Sequence, residues 1–302
     1  MKLKNVKNIF LNKIAGFFFA SELFSSKGHI YISFAIPRFM RDNYNWGDDI
    51  NFILGEKLSG KKVIPYQYSI IKNHTNYLFI GSIIQWYCNS KSIIWGSGLI
   101  DDVKSLPKPK KVLAVRGPLT RNALIKCGID CPEVYGDPAM LLPLIYNPKR
   151  EILYKIGIIL HYSERENFEF VVPKGYTKSD VLLIDIGEYG KWTDFLDKVI
   201  SCEIILSSSL HGVIVSEAYN IPNLWTCFDH DSFKRKTFKY IDFYMSINKD
   251  FIVKPYKYDN LVTEDNLVEF VNDLWRPGIF DLNPLINACP FKFPYPNKDS
   301  IN

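Results

Sequence analysis

Apolar residues along this chain come in short runs that end in small or polar residues and give way to stretches with helical spacing. Lys61–Pro65 and Asn76–Ile80 are two such runs. Ser92-Ile93-Ile94-Trp95 leads into Gly96-Ser97-Gly98, and Lys111-Val112-Leu113-Ala114-Val115 leads into Arg116-Gly117-Pro118. Pro118 suits the first turn of a helix, where its missing N–H needs no partner, and Gly128 suits the stop. The pattern restarts after a proline-flanked connection at 143–150. Lys155–Leu160, Val181–Ile186 and Glu203–Leu206 read as buried strands. Lys191–Ser201, Ser209–Tyr219 and Glu264–Trp275 read as helices, as does Ile50–Leu58 in the first half. Strands alternating with helices predict parallel sheets covered on both faces. The expected fold is therefore α/β, with two Rossmann-like domains facing a cleft. They span 1–146 and 147–283, followed by a proline-rich tail, 284–302, that crosses back or frays. Ligands in such sheets bind beyond the carboxyl ends of the strands.

Composition narrows the picture. The chain has 302 residues, 47% hydrophobic and 23% charged, enough for a substantial core and incompatible with disorder. Its net charge of +5 is mild. It suits an anionic small substrate and falls short of the clustered charge of a nucleic-acid binder. Six scattered cysteines without a CxxC pair read as thiols in a reducing compartment, not as a metal site. No apolar span reaches the ~20 residues of a membrane helix. Lys2, Lys4, Lys7 and Lys13 precede a short apolar run, Ile14–Ala20, with no clean cleavage site behind it. This reads as a basic amphipathic helix resting on the fold or on an anionic bilayer.

Candidate chemistry lies directly after the strands. In Asn45-Trp46-Gly47-Asp48-Asp49, Asp48 is either a helix cap or a substrate-contacting acid. Gly96-Ser97-Gly98 lets backbone approach a ligand, or makes a tight strand-to-helix turn. Arg116 beside a helix start is an anion site, or an arginine salt-bridged at a surface turn. Gly136-Asp137-Pro138 is a turn signature. The richest segment is Ser207-Ser208-Ser209-Leu210-His211-Gly212 after a buried strand, with Ser209 as N-cap. There N–H groups, hydroxyls and an imidazole converge, and the positive helix end favours the neutral ring. Phe233–Tyr244 interleaves bases with aromatics, and reads as a solvated face or a phosphate-binding loop.

Taken together, the chain resembles the polysaccharide pyruvyl transferase family. The likeness runs from about Asn45 to Tyr244. It rests on Asn45-Trp46-Gly47-Asp48, Trp95-Gly96-Ser97-Gly98, Arg116-Gly117-Pro118-Leu119-Thr120, Tyr135-Gly136-Asp137-Pro138-Ala139, Leu160-His161-Tyr162, Ser209-Leu210-His211-Gly212, and Phe238-Lys239-Tyr240 with Asp242-Phe243-Tyr244. The resemblance implies a fold like that of the two-domain (GT-B type) glycosyltransferases. It implies transfer of pyruvate from phosphoenolpyruvate to two hydroxyls of a sugar, giving a cyclic ketal. Some members carry Arg where Ser209 stands, so that contact would come from elsewhere, Lys236 for example. Trp46 also departs from the common first motif and bears on the acceptor side.

On this reading Arg116, Lys239 and the Ser209–Gly212 helix start hold the donor's phosphate and carboxylate. His211 does acid/base work near the donor, Asp48 is the base on the acceptor, and His161 is a cleft residue. Asn45, Gly47, Gly96, Ser97, Leu210 and Asp137 complete the binding set. No metal or cofactor is needed besides phosphoenolpyruvate, and nucleic acid is not a partner. The resemblance places the chain in the cytoplasm. A lipid-linked acceptor would give the basic N-terminus a reason to touch the inner face of the membrane. Two alternatives stand beside it: a sugar-nucleotide glycosyltransferase on the same fold, with Glu217 toward the ribose, and a non-catalytic carbohydrate-binding protein of a polysaccharide locus.

Overall fold

The structure, a computed structural model, describes residues 28–35, 45–69, 73–165, 168–228 and 237–295. The basic N-terminal segment and Lys236 lie outside the described residues. Two parallel five-stranded sheets organise the chain, consistent with a Rossmann-like α/β fold. The first sheet is formed by β1 (His29–Ile32), β2 (Lys62–Pro65), β3 (Asn76–Leu78), β4 (Ser92–Trp95) and β5 (Lys111–Ala114), in the order β2-β1-β3-β4-β5. Its helices are α1 (Trp46–Ser59), α2 (Ile84–Tyr87) and α3 (Pro118–Lys126), followed by a 3₁₀ turn (Pro138–Leu141) and α4 (Leu142–Ile145). The second sheet has the order β10-β9-β8-β6-β7. Its strands are β6 (Tyr154–Leu160), β7 (Val181–Asp185), β8 (Cys202–Ser207), β9 (Asn223–Cys227) and β10 (Tyr256–Lys257). With it go α5 (Trp192–Ile200), α6 (Leu210–Ala218), α7 (Thr237–Ser246), α8 (Tyr258–Leu261), α9 (Leu267–Leu274) and α10 (Asn283–Asn287).

The strands form where apolar runs are continuous, because both sheet faces are covered and neither side tolerates alternation. β6 and β8 bury Ile156, Ile158, Ile204 and Leu206 toward one face and Ile159 and Ile205 toward the other. Gly60 and Gly128 end α1 and α3 in the left-handed region that a side chain would strain. β1 and β9 were not anticipated from the apolar pattern. The segment read as a solvated face or loop is instead largely helix α7, with Lys239, Tyr240, Asp242, Phe243 and Tyr244 buried.

The two halves are tied by specific contacts. Trp46 is fully buried, its ring stacked on Phe195 and its indole N–H donating to the carbonyl of Trp192 at 2.9 Å. Its backbone N–H donates to Ile186 at 2.7 Å. Trp46 thus packs one half on the other. From the far end of the chain, α10 returns to the first half, where the Trp95 indole donates to the carbonyl of Leu285 at 2.9 Å. Among the described residues no helix is long and apolar enough to cross a membrane. All six cysteines are free thiols, and burial pushes those of Cys131 and Cys202 up to about 12.

Candidate functional site

A cleft of about 450 Å³ opens where the loops after the strands of the two halves meet. The first half contributes Asn45, Asp48, Gly81, Ser82 and Trp86, and the second His161, Tyr162, Ser209, His211 and Lys239. A larger depression of about 810 Å³ lies by Lys108–Leu113 at the outer edge of the first sheet, away from all these motifs.

Helix α1 starts one turn earlier than the apolar pattern suggests. Its N-cap is Asn45, which accepts from Gly47 N–H, so capping is not the task of Asp48. The Asn45 amide also donates to the Asp48 carboxylate at 2.8 Å and holds it toward the cleft. Asn51, one turn on and fully buried, fastens the facing loop. Its amide donates to the carbonyl of Ile80 and accepts from Ile80 N–H, both at 3.0 Å. Sequence reasoning missed Asn51; the signal was a polar residue on the apolar side of an amphipathic helix.

The second half presents its chemistry at the start of α6. Ser209 occupies the N-cap position, but its side chain makes no cap hydrogen bond. Ser207 closes the turn instead, donating to Ser209 O and accepting from Ser209 N–H. The Ser209 side chain borders the cleft, next to a helix start with no side-chain cap. A Cβ on Gly212 would overlap Ser207 Oγ, so glycine here lets the helix sit against β8. A Cβ on Gly47 would overlap the His211 imidazole. Gly47 is therefore the seat that receives His211 from the other half.

His211 is 7% exposed and its Nε2 makes no hydrogen bond among the described residues. Burial pushes its pKa down to about 3, assisted by the positive charges of Lys239 and Arg116. The ring is neutral, as the sequence suggested, although burial rather than the helix end is the main cause. His161 follows β6 and sits on the cleft, with its Nδ1 2.7 Å from Ser163 Oγ and its ring 4.4 Å from Tyr162. Glu164, unnoticed in the sequence, lies buried beneath. It accepts from His161 N–H and from the Ser208 hydroxyl, pinning that strand end.

Other expected residues are placed elsewhere. Arg116 is fully buried and does not border the cleft. Its guanidinium pairs with Asp242 at 2.9 Å and donates to Ser82 Oγ and Leu99 O, both at 2.6 Å. Neither an anion site nor a surface turn describes it. Asp242 also accepts from Thr120 N–H and Oγ1, at 2.9 and 2.7 Å. It thereby caps α3, whose own N-cap, Gly117, has no side chain. A Cβ on Gly117 would overlap the Asp242 backbone.

Asp137 caps the 3₁₀ turn through Ala139 N–H and is buried away from the cleft. Burial raises its pKa to about 7, the Ala139 bond and Arg116 opposing, and its Oδ2 makes no hydrogen bond among the described residues. Gly96, at φ +91°, is approached by Pro138 and Gly136 rather than presented to the cleft. Ser97 is buried behind it, its hydroxyl likewise making no hydrogen bond among the described residues. The Gly-Ser-Gly stretch bends away from β4 into the loop that leads to β5, so no strand-to-helix turn forms there. Leu210 is buried at the cleft wall.

The geometry defines an α/β protein that brings an acid, two histidines, a lysine and a helix start onto one cleft. Residues 22–232 match the polysaccharide pyruvyl transferase family, and the chain belongs to that family. The match ends before α7, so Lys239 and Asp242 lie beyond it. The chain is also 30% identical, over 221 residues, to an uncharacterized protein of Acanthamoeba polyphaga mimivirus, covering 72% of this chain and 74% of that one. No solved structure matches the chain. Membership implies a transferase acting in pyruvyl transfer during polysaccharide biosynthesis, with a polysaccharide acceptor.

Proposed function

We infer that the chain transfers pyruvate from phosphoenolpyruvate to two hydroxyls of a sugar, closing a cyclic ketal. The observation that carries this reading is the meeting of Lys239, His211 and the uncapped α6 start with Asp48 on one cleft. Phosphoenolpyruvate carries two anionic groups a few atoms apart. A lysine beside oriented N–H groups suits it. We take the halves to be arranged as in the two-domain glycosyltransferases, with the donor on the second half.

In the reaction as we read it, a proton is delivered to the methylene carbon and C2 becomes oxocarbenium-like. A sugar oxygen adds to C2 as Asp48 takes the hydroxyl proton. The C2–O bond to phosphate then breaks, and the second hydroxyl closes the ring as its proton passes to the departing phosphate. His211 is the proton donor in this scheme. Its pKa is held down in part by Lys239 and Arg116. A bound dianion offsets those charges, the lesser cause beside burial, and so moves the ring toward its protonated form. Nothing in this sequence of steps calls for a metal.

The glycosyltransferase alternative needs an acid toward a ribose. Glu217 is buried away from the cleft, held by Lys249 Nζ at 2.5 Å, Asn223 Nδ2 at 2.9 Å and Trp275 Nε1 at 3.0 Å. That occupancy favours the pyruvyl reading. The test is calorimetry of phosphoenolpyruvate against a panel of sugar nucleotides, on wild type and His211→Ala. Saturable phosphoenolpyruvate binding that weakens in the variant is expected; binding of a sugar nucleotide instead would overturn it. The lipid-linked acceptor at the inner membrane face belongs to the same reading. Deleting Met1–Lys13 then reduces co-sedimentation with anionic vesicles, and unchanged co-sedimentation removes that part.

A further inference from the structure

Two exposed aromatic side chains stand on this cleft, one from each half. Trp86 on α2 is 60% exposed and Tyr162, after β6, is 42% exposed. The other exposed large aromatics among the described residues, Phe251 and Tyr256, are not on it. Scattered exposed apolar residues are ordinary; two that border one concavity are not.

Both are carried by held backbone. The turn carrying Trp86 is anchored from below. Ile84 is fully buried, Trp86 N–H donates to Ile83 O at 3.1 Å, and Gln85 Oε1 accepts from Ile100 N–H at 3.4 Å. The Tyr162 ring lies against the His161 ring at 4.4 Å. The backbone that carries Trp86 and the ring of Tyr162 are thus positioned before anything binds, which lowers the entropy lost on association. The cleft has room beyond a three-carbon phosphate, since its volume falls within the roughly 300–1,000 Å³ of small-molecule sites.

We propose that Trp86 and Tyr162 form the platform for the acceptor sugar, stacking on the C–H face of a pyranose ring and turning its hydroxyls toward Asp48. This rests on the pyruvyl-transfer reading and adds to it the subsite that selects the sugar. A pyranose is polar at its rim and apolar on its ring faces. An aromatic plane recognises those faces, whose C–H bonds point at its electron-rich side. Polar groups then fix which hydroxyls reach the chemistry. In this assignment Trp86 and Tyr162 govern acceptor affinity and choice and leave the donor untouched.

The test is equilibrium binding of methyl pyranosides of glucose, galactose and mannose at millimolar concentration, by saturation-transfer NMR. It is run on the full chain and on Trp86→Ala, Trp86→Phe and Tyr162→Ala, with phosphoenolpyruvate binding measured in parallel. Both side chains are solvent-exposed, so these variants should keep the wild-type melting temperature. We expect at least one glycoside to bind, Trp86→Ala to weaken it about tenfold, or ~1.4 kcal/mol, and Trp86→Phe to retain most of it. Phosphoenolpyruvate affinity should stay within about twofold of wild type in all three. Absence of glycoside binding to wild type, or an unchanged affinity in Trp86→Ala, overturns the platform. Glycoside binding that depends on Trp86, with no phosphoenolpyruvate binding to wild type, keeps the platform and overturns the pyruvyl donor.

Discussion

Arg116 and Lys239 are both cations delivered by sequence motifs, and both read as anion contacts in the sequence. The structure separates them. Arg116 is enclosed, with Asp242, Ser82 and Leu99 around its guanidinium. Lys239 borders the cleft, its Nζ 5.3 Å from the Tyr240 ring centroid. The link between them is α7, where Lys239 and Asp242 sit three residues apart on one helix face. The enclosed arginine fixes Asp242, and Asp242 fixes the helix that offers the lysine. A cation's role therefore follows from its partners rather than its motif. Arg116 can matter to anion binding without touching the anion.

The sharpest way to break this comparison is Asp242→Ala. It leaves Arg116 buried without its counter-charge and α3 without its cap. We expect a loss of about 3–5 kcal/mol in chemical denaturation. Arg116→Met combined with Asp242→Leu should recover much of it, because two apolar groups leave no uncompensated charge. Full stability in Asp242→Ala would show that the pair does not hold the helix.

A second test uses two buried groups that respond oppositely to pH. The unfolded chain protonates position 211 below about 6.5, whereas the folded ring resists until about 3. Stability from His211 is thus complete above 6.5 and lost as pH falls. Asp137 runs the other way, because the folded chain keeps up to about 7 a proton that the unfolded chain releases above 3.8. Between about 4 and 6.5 the two slopes oppose, each about 1.4 kcal/mol per pH unit at most. Asp137→Asn should therefore make stability rise with pH across that window, and His211→Gln should make it fall. Identical pH profiles in both variants would refute the assignment.

Smaller effects sharpen the picture. Gly47→Ala pushes a methyl group into the His211 ring and should cost about 1–3 kcal/mol, with His211→Ala in the same chain relieving most of it. Additive costs in that cycle would show that the two residues do not share the seat. The smallest change is in Lys239→Met, where phosphoenolpyruvate affinity should fall about tenfold, or ~1.4 kcal/mol, while the melting temperature moves little. An unchanged calorimetric affinity would remove Lys239 from the donor site.

Much of the sheet architecture was legible because β6, β8 and their neighbours are continuous apolar runs, and such runs have few other uses. Helix α7 was not. Its buried face carries Asp242, a charge that looks like a solvent position until Arg116 is brought to it across 126 residues. The site shows the same division. His211 and Asp48 stood out because they follow strands or open helices. Asn51 and Glu164 were passed over because their work is to bond backbone groups of other segments, which only Asn51 hints at, as a polar residue on an apolar helix face. Asp137 was legible as a turn residue, and the structure keeps it in that role.

The return of α10 onto Trp95 has a consequence for the order in which the protein is made. The indole of Trp95 and its acceptor, Leu285 O, are 190 positions apart. At roughly 5–20 residues per second of synthesis, the partner is added roughly 10–40 s after the tryptophan itself. For most of that interval, once β5 has been made, the first sheet is complete in sequence yet β4 still lacks its final contact. A nascent chain of this protein therefore emerges with an unfinished first half, which is closed only when α10, made long after the strand it contacts, arrives.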